Sequence, residues 1–183
     1  GGWTFDTTTT LNGDLTMTNG TLSGTTSINV YGGDVTGNGD INLTGGTFMV
    51  DGTSTTGFGG NTAWDFYNLN FGDGFDTTTT TKTGTGSITT SNVLTIAANQ
   101  TLDAGDDTWT LSGSGTPFVV VNPGLFVASS STFKYTATSA TNITGEVYNN
   151  LELSPSGVGS PIFTPDHTTN TMGYLTIGNG TNG

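Results

Sequence analysis

The sequence has 183 residues, of which 42 are threonine and 30 are glycine, and it contains no cysteine. Fourteen acidic residues against two lysines give a net charge of −12, which excludes a phosphate-neutralising surface and therefore nucleic acid as a partner. Helix formers are scarce and no apolar run is long enough for membrane insertion, so a helical domain and an inserted segment are both excluded.

The first predicted strands lie in residues 13–22 (GDLTMTNGTL), where apolar and polar residues alternate with the period of two that is typical of a half-buried strand. Residues 39–48 (GDINLTGGTF) match this segment position for position at an offset of 26. Further steps of about 26 reach similar strands near residues 67–69, 93–96, 119–121, 147–153 and 174–177. A repeat of this length predicts a solenoid of about seven coils.

Three sets of apolar residues recur along these strands and are predicted to form three inward-pointing columns. The first contains Leu15, Met17, Ile41, Leu43, Tyr67, Leu69, Leu94, Ile96, Val119 and Val121. The second contains Leu22, Phe48, Phe75, Leu102, Phe126 and Leu151 or Leu153, and the third contains Trp3, Phe5, Ile28, Val30, Trp64, Phe66, Ile88, Trp109, Leu111, Phe133, Tyr135, Ile162 and Phe163. Three columns predict three short strands per coil, and thus an all-β, right-handed parallel β-helix. An antiparallel β-sandwich is the alternative, because turn signals about every 8 to 12 residues fit that fold as well.

An aromatic-Asn-Leu phrase occurs twice, as DFYNLNF in residues 65–71 and as VYNNLEL in residues 147–153. Three coils of about 26 residues come close to this offset, so the phrase is interpreted as one strand of a three-coil superrepeat. We therefore expect a single β-solenoid domain over residues 1–183. Its superrepeat copies would cover approximately 40–120, and 121–183 together with 1–39.

Several strings resemble the tandem repeats of large secreted bacterial surface proteins with β-solenoid stalks, a group that includes autotransporter passengers and filamentous adhesins. They are FYNLNF (66–71), NVLTIAANQTLDAG (92–105), TLSGSGTP (110–117) and VYNNLELSPSG (147–157). The resemblance covers roughly residues 40–180. It implies an extracellular or cell-surface location and a role as adhesin, stalk or filament body without catalysis.

Neither end of the sequence shows the polar or charged cap with which soluble solenoids cover their terminal coils. The segment GGWTFD carries Trp3 and Phe5, and GYLTIGNGTNG carries Tyr174, Leu175 and Ile177. These five residues are the expected assembly ends of a head-to-tail homopolymer, since a heterologous contact that does not close generates a fibre. The alternative is that further coils of a longer chain cover the same ends.

Two other functions compete with a structural subunit of an extracellular filament. One is an adhesin or carbohydrate-binding module, whose partners would be surface glycans. The other is a polysaccharide-active enzyme, which needs paired carboxylates. Asp103, Asp106 and Asp107 have the spacing of a solvated turn, and His167 beside Asp166 lacks a nucleophile in suitable context, so no catalytic residues are assigned and no enzyme is expected.

Calcium is the one cofactor that the sequence suggests. Asp34, Asn38 and Asp40 lie among glycines in residues 31–42 (YGGDVTGNGDIN) and supply the hard oxygen ligands that Ca²⁺ prefers. The segment only loosely resembles the calcium-binding nonapeptide, so an unoccupied corner is the favoured interpretation and no cofactor is assigned. Lys82 and Lys134 are interpreted as ordinary surface lysines, with isopeptide crosslinking to Asn or Asp as the alternative.

Overall fold

The alternating threonine and apolar residues form short strands, and every pairing between them is parallel. The structure is a computed structural model that describes residues 1–156 and 161–178. These two ranges contain no helix. β-branched threonine favours strands, and the scarcity of helix formers leaves no segment with a competing preference.

The described residues form 23 strands. In chain order they are β1 (Gly2–Thr4), β2 (Thr9–Leu11), β3 (Leu15–Met17), β4 (Thr21–Gly24), β5 (Ile28–Tyr31), β6 (Val35–Gly37), β7 (Asp40–Leu43), β8 (Thr47–Asp51), β9 (Thr56–Gly60), β10 (Trp64–Phe71), β11 (Thr78–Lys82), β12 (Ile88–Ile96), β13 (Gln100–Asp103), β14 (Thr108–Leu111), β15 (Phe118–Val120), β16 (Leu125–Val127), β17 (Thr132–Tyr135), β18 (Thr141–Ile143), β19 (Val147–Tyr148), β20 (Asn150–Leu153), β21 (Phe163–Pro165), β22 (Asn170–Thr171) and β23 (Leu175–Ile177).

Three strand ladders run along the solenoid, and we call them the first, second and third face. The first face has nine strands in the order β1-β4-β7-β10-β12-β14-β17-β20-β23. The second face consists of β2, β5, β8, the C-terminal halves of β10 and β12, and β15. The third face has the order β3-β6-β9-β11-β13-β16, while β18 pairs with β21 and β19 with β22. The long strands β10 and β12 join the first two faces into one sheet, with a bulge between Phe66 and Asn68.

The core is a stack of apolar side chains along the solenoid axis. Trp64, Ile88, Trp109 and Phe133 occupy successive positions of the first face, and each is at most 1 % exposed. The rings of Trp109 and Phe133 are nearly parallel, with centroids 5.8 Å apart. The indole N–H groups of Trp64 and Trp109 donate to backbone carbonyls, so neither buried indole is left without an acceptor.

The predicted parallel β-solenoid is confirmed, with about eight turns, and the antiparallel sandwich is wrong. The coil is shorter than predicted, because paired residues on the first face lie 18 to 24 positions apart rather than 26. Leu15 pairs with Val35 on the third face, whereas Ile41 pairs with Leu22 on the first. The offset of 26 therefore aligns strands of two different faces.

Apart from Trp3 at the N-terminal end, four of the predicted column members are exposed rather than buried in the core: Tyr67 (38 %), Phe75, Val121 and Ile162 (69 %). Phe75 lies in the loop between β10 and β11 and is 84 % exposed. On the second face Phe118 is the buried residue that pairs with Leu94, while Val121 is 42 % exposed. Since side chains alternate along a strand, a register error of one residue exchanges inward and outward positions.

The repeated aromatic-Asn-Leu phrase occupies two different faces. Leu69 pairs with Phe48 and Leu94 on the second face. Leu151 pairs with Phe133 and Leu175 on the first face. The two phrases thus have different positions in the coil, and the division into superrepeat copies stays a sequence prediction.

Candidate functional site

The N-terminal end of the solenoid contains an open apolar hollow of about 340 Å³. It is lined by Trp3, Phe5, Leu15, Thr16, Met17, Thr18, Asn19 and Leu22. Within the described residues β1 pairs only with β4, β2 only with β5 and β3 only with β6, so all three faces present an unpaired strand edge here. Trp3 is 52 % exposed, whereas Phe5 is half-buried.

The opposite end also exposes apolar side chains beside an unpaired edge. Among residues 1–156 and 161–178, β23 has β20 as its single partner. Leu175 is 52 % exposed, Ile177 is 75 % exposed and Tyr174 is 49 % exposed, and Ile162 and Met172 nearby are each 69 % exposed. The five residues expected at the assembly ends thus lie at the two ends of the described solenoid.

The two ends belong to the same inward column of the first face. Trp3 pairs with Leu22 at one end and Leu175 pairs with Leu151 at the other, through a continuous ladder. Strands of a parallel ladder all run in one direction, so its two outer edges present complementary N–H and C=O groups. An edge of this kind accepts a further parallel strand.

Two of the three residues suggested for calcium, Asp34 and Asn38, flank β6, and the calcium site stays a sequence prediction. Asp34 precedes β6 and its Oδ1 accepts the Gly57 N–H at 2.7 Å, while Asn38 follows β6 and its Oδ1 accepts the Asn61 amide at 2.7 Å. In the part of the chain that the structure describes, no three His, Asp or Glu side chains converge to hold a metal ion.

Asp103 and His167, which were considered for catalysis, make contacts at turns. Asp103 Oδ1 accepts hydrogen bonds from the Gly105 N–H and from the Ser129 hydroxyl. His167 Nδ1 lies 3.4 Å from Asp166 Oδ1 on an exposed turn, and the His167 side chain is 85 % exposed. Burial and the nearby charge of Asp166 raise the pKa of Glu146 above its ordinary value.

Lys82 is not a surface lysine. Lys82 pairs with Phe58 on the third face, and its side chain is buried. The ammonium group lies 2.6 Å from Asp107 Oδ2 and donates to the Thr83 carbonyl at 2.8 Å. The surface prediction for Lys82 failed because a charged residue was not expected at an inward position, although the alternation of TTTTK (78–82) places it there. Lys134 lies on the outer side of the first face and pairs with Glu152 at 2.9 Å.

Two further buried polar features were not predicted from the sequence. The hydroxyl groups of Tyr135 and Tyr148 lie 3.0 Å apart, and Tyr148 donates to the Thr144 carbonyl at 2.9 Å. Burial raises the pKa of Tyr135 to about 12. Asp51 is also buried, and its pKa is raised by burial and by the charges of Asp73 and Asp76.

No family model, curated protein or solved structure matches this chain. The described residues include no helix long and apolar enough to cross a membrane.

Proposed function

We propose that this chain is a structural module of an extracellular filament or stalk in which β-solenoids stack end to end. The observation that carries the proposal is the matched pair of ends. Each presents unpaired parallel strand edges together with exposed apolar side chains from one inward column. The threonine-rich exterior and the net charge of −12 keep the sides of such a fibre hydrated and separated from one another.

End-to-end stacking gains free energy by burying apolar side chains that are exposed in the single chain. Trp3, Leu175 and Ile177 are each at least half exposed. Burying a large apolar side chain contributes about 1.5–3 kcal/mol, and the new strand pairing satisfies the backbone groups at the edge. Repulsion between acidic copies opposes association, and this repulsion is screened by salt.

Sedimentation velocity and negative-stain microscopy of the purified 183-residue chain test the proposal. We expect elongated polymers whose mean length grows with protein concentration. Polymers should also grow longer as ionic strength rises from about 0.01 M to about 1 M, since the Debye length falls from about 30 Å to about 3 Å. Ile177→Asp should abolish polymers, while Tyr67→Asp, a change at an exposed position in β10, which is paired on both sides, should leave them intact. Monodisperse monomers under all these conditions would exclude assembly of this chain by itself.

A carbohydrate-binding adhesin is the second candidate, and the loop between β10 and β11 favours it. Phe75 projects into solvent, and its N–H donates to Asp73 Oδ1 at 2.9 Å, which holds the loop in a turn. An exposed ring offers a face for a sugar, and the carboxylates of Asp73 and Asp76 offer acceptors for sugar hydroxyls. A glycan array should then show binding that Phe75→Ala abolishes and Leu125→Ala retains. An array without any binding would eliminate this candidate.

A further inference from the structure

We infer that two copies join as one more step of the first-face ladder, with β23 of one copy paired to β1 of the next. Leu175 then lies opposite Trp3, and Ile177 lies opposite Phe5. The inference rests on the proposed end-to-end stacking and adds to it the partner surface, the polarity and the register of the junction.

The register follows from the pairing within the chain. The column begins at Trp3, continues through Leu22 and ends at Leu175, eight pairings from Trp3. Placing Trp3 of the next copy on Leu175 extends this column by one residue. A shift of one residue would turn Leu175 and Ile177 towards solvent, because the side-chain period of a strand is two.

The outward side chains at this junction are compatible with close pairing. Thr4 and Thr176 are the two end members of one outward row, and both are exposed. Inside the row, opposite side chains approach one another, as in the 3.4 Å contact of Thr4 with Ser23 and the 2.9 Å ion pair of Lys134 with Glu152. In this row the junction places threonine beside threonine, so no two carboxylates face each other at this position.

The junction also determines the polarity and the repeat of the fibre. All first-face strands are parallel, so the added strand keeps their direction and the contact is heterologous. Nine strands at a spacing of about 4.8 Å give a rise of about 43 Å per copy. Head-to-head or tail-to-tail contacts would instead produce closed dimers with two-fold symmetry.

Paired cysteines test the register directly, because the chain contains no cysteine of its own. Residues opposite each other on neighbouring strands are close enough for a disulfide, which needs a Cα separation of about 4.4–6.8 Å. The double variant Thr4→Cys/Thr176→Cys, oxidised under polymer-forming conditions, should give a ladder of covalent oligomers on non-reducing gels. The single variants Thr4→Cys and Thr176→Cys should remain monomeric on the same gels.

The outcomes separate the junction from the proposed function. Covalent dimers of either single variant would show head-to-head or tail-to-tail contact and overturn the inference. If the unmodified chain forms polymers but the double variant gives no ladder, the register is wrong while end-to-end stacking stands. The same conclusion follows if electron micrographs show a rise per copy other than about 43 Å. The absence of any polymer would remove both proposals, since the junction has no role without stacking.

Discussion

Lys82 and Asp107 form an ion pair inside the solenoid, with 2.6 Å between Nζ and Oδ2, and thereby connect β11 to the turn that follows β13. The Lys82 side chain is fully buried and that of Asp107 is 17 % exposed. Two charges removed from water in this way are costly unless each satisfies the other. The pair therefore constrains which residues can replace either partner.

Removing one partner of this pair should destabilise the fold strongly. Asp107→Asn leaves the Lys82 ammonium without its counter-charge, and we expect a loss of about 3–5 kcal/mol in the free energy of unfolding. Urea denaturation monitored by tryptophan fluorescence measures this loss. Lys134→Met is the control, because its partly exposed pair with Glu152 should contribute only about 0–1 kcal/mol. Equal losses for the two variants would contradict the buried arrangement of Lys82.

The buried tyrosine pair predicts an asymmetric response to deletion of either hydroxyl. Tyr148 donates to the Thr144 carbonyl and therefore accepts from Tyr135. Tyr148→Phe leaves the buried Tyr135 hydroxyl without its acceptor and removes one of the two hydrogen bonds that the Thr144 carbonyl accepts, the other coming from the Glu146 N–H, and should cost about 1–3 kcal/mol. Tyr135→Phe leaves the bond from Tyr148 to Thr144 intact and should cost less. Urea denaturation of both variants and of the double variant tests this order, and a larger loss for Tyr135→Phe would reverse the assigned donor direction.

The stability of the protein should fall as pH rises through the titration of Asp51. Burial, and then Asp73 and Asp76, raise the pKa of Asp51 above its ordinary value of 3.8, so the folded state holds this proton more tightly than the unfolded state. Stability from this group is present below the unfolded pKa and is lost as pH rises through the folded pKa. Asp51→Asn should remove that pH dependence and raise stability at neutral pH. Urea denaturation between about pH 3 and pH 7 measures both effects; a pH profile unchanged by the substitution would contradict the prediction.

Substitutions of two phenylalanines test the observed coil against the coil of about 26 residues that the sequence predicted. Phe75→Ala should change the free energy of unfolding by less than about 0.5 kcal/mol, because the side chain is 84 % exposed. Phe118→Ala should cost about 3–5 kcal/mol, because its ring is buried against Phe126 and Phe133. Thermal or urea unfolding of the two variants measures the two losses. A larger loss for Phe75→Ala than for Phe118→Ala would indicate that Phe75, and not Phe118, lies in the core.

The sequence by itself determined the fold class, because alternation with a period of two and a preference for strands are local properties of the chain. Trp64, Trp109 and Phe133 were correctly predicted to point inward on this basis. The apolar residues expected at the assembly ends, Leu175 and Ile177, were recognised from the same alternation. The function of those ends stays a proposal.

Only the tertiary structure decided which strands stack on one another. Strands of different faces look alike in sequence, so the match between Leu15 and Ile41 could not reveal that the two residues lie on different faces. The turns between strands vary in length, and each variation changes the coil without disturbing the local pattern. The alternation of residues 78–82 gives Lys82 an inward position, but its ion pair with Asp107 from a later turn is a long-range contact that no local pattern encodes.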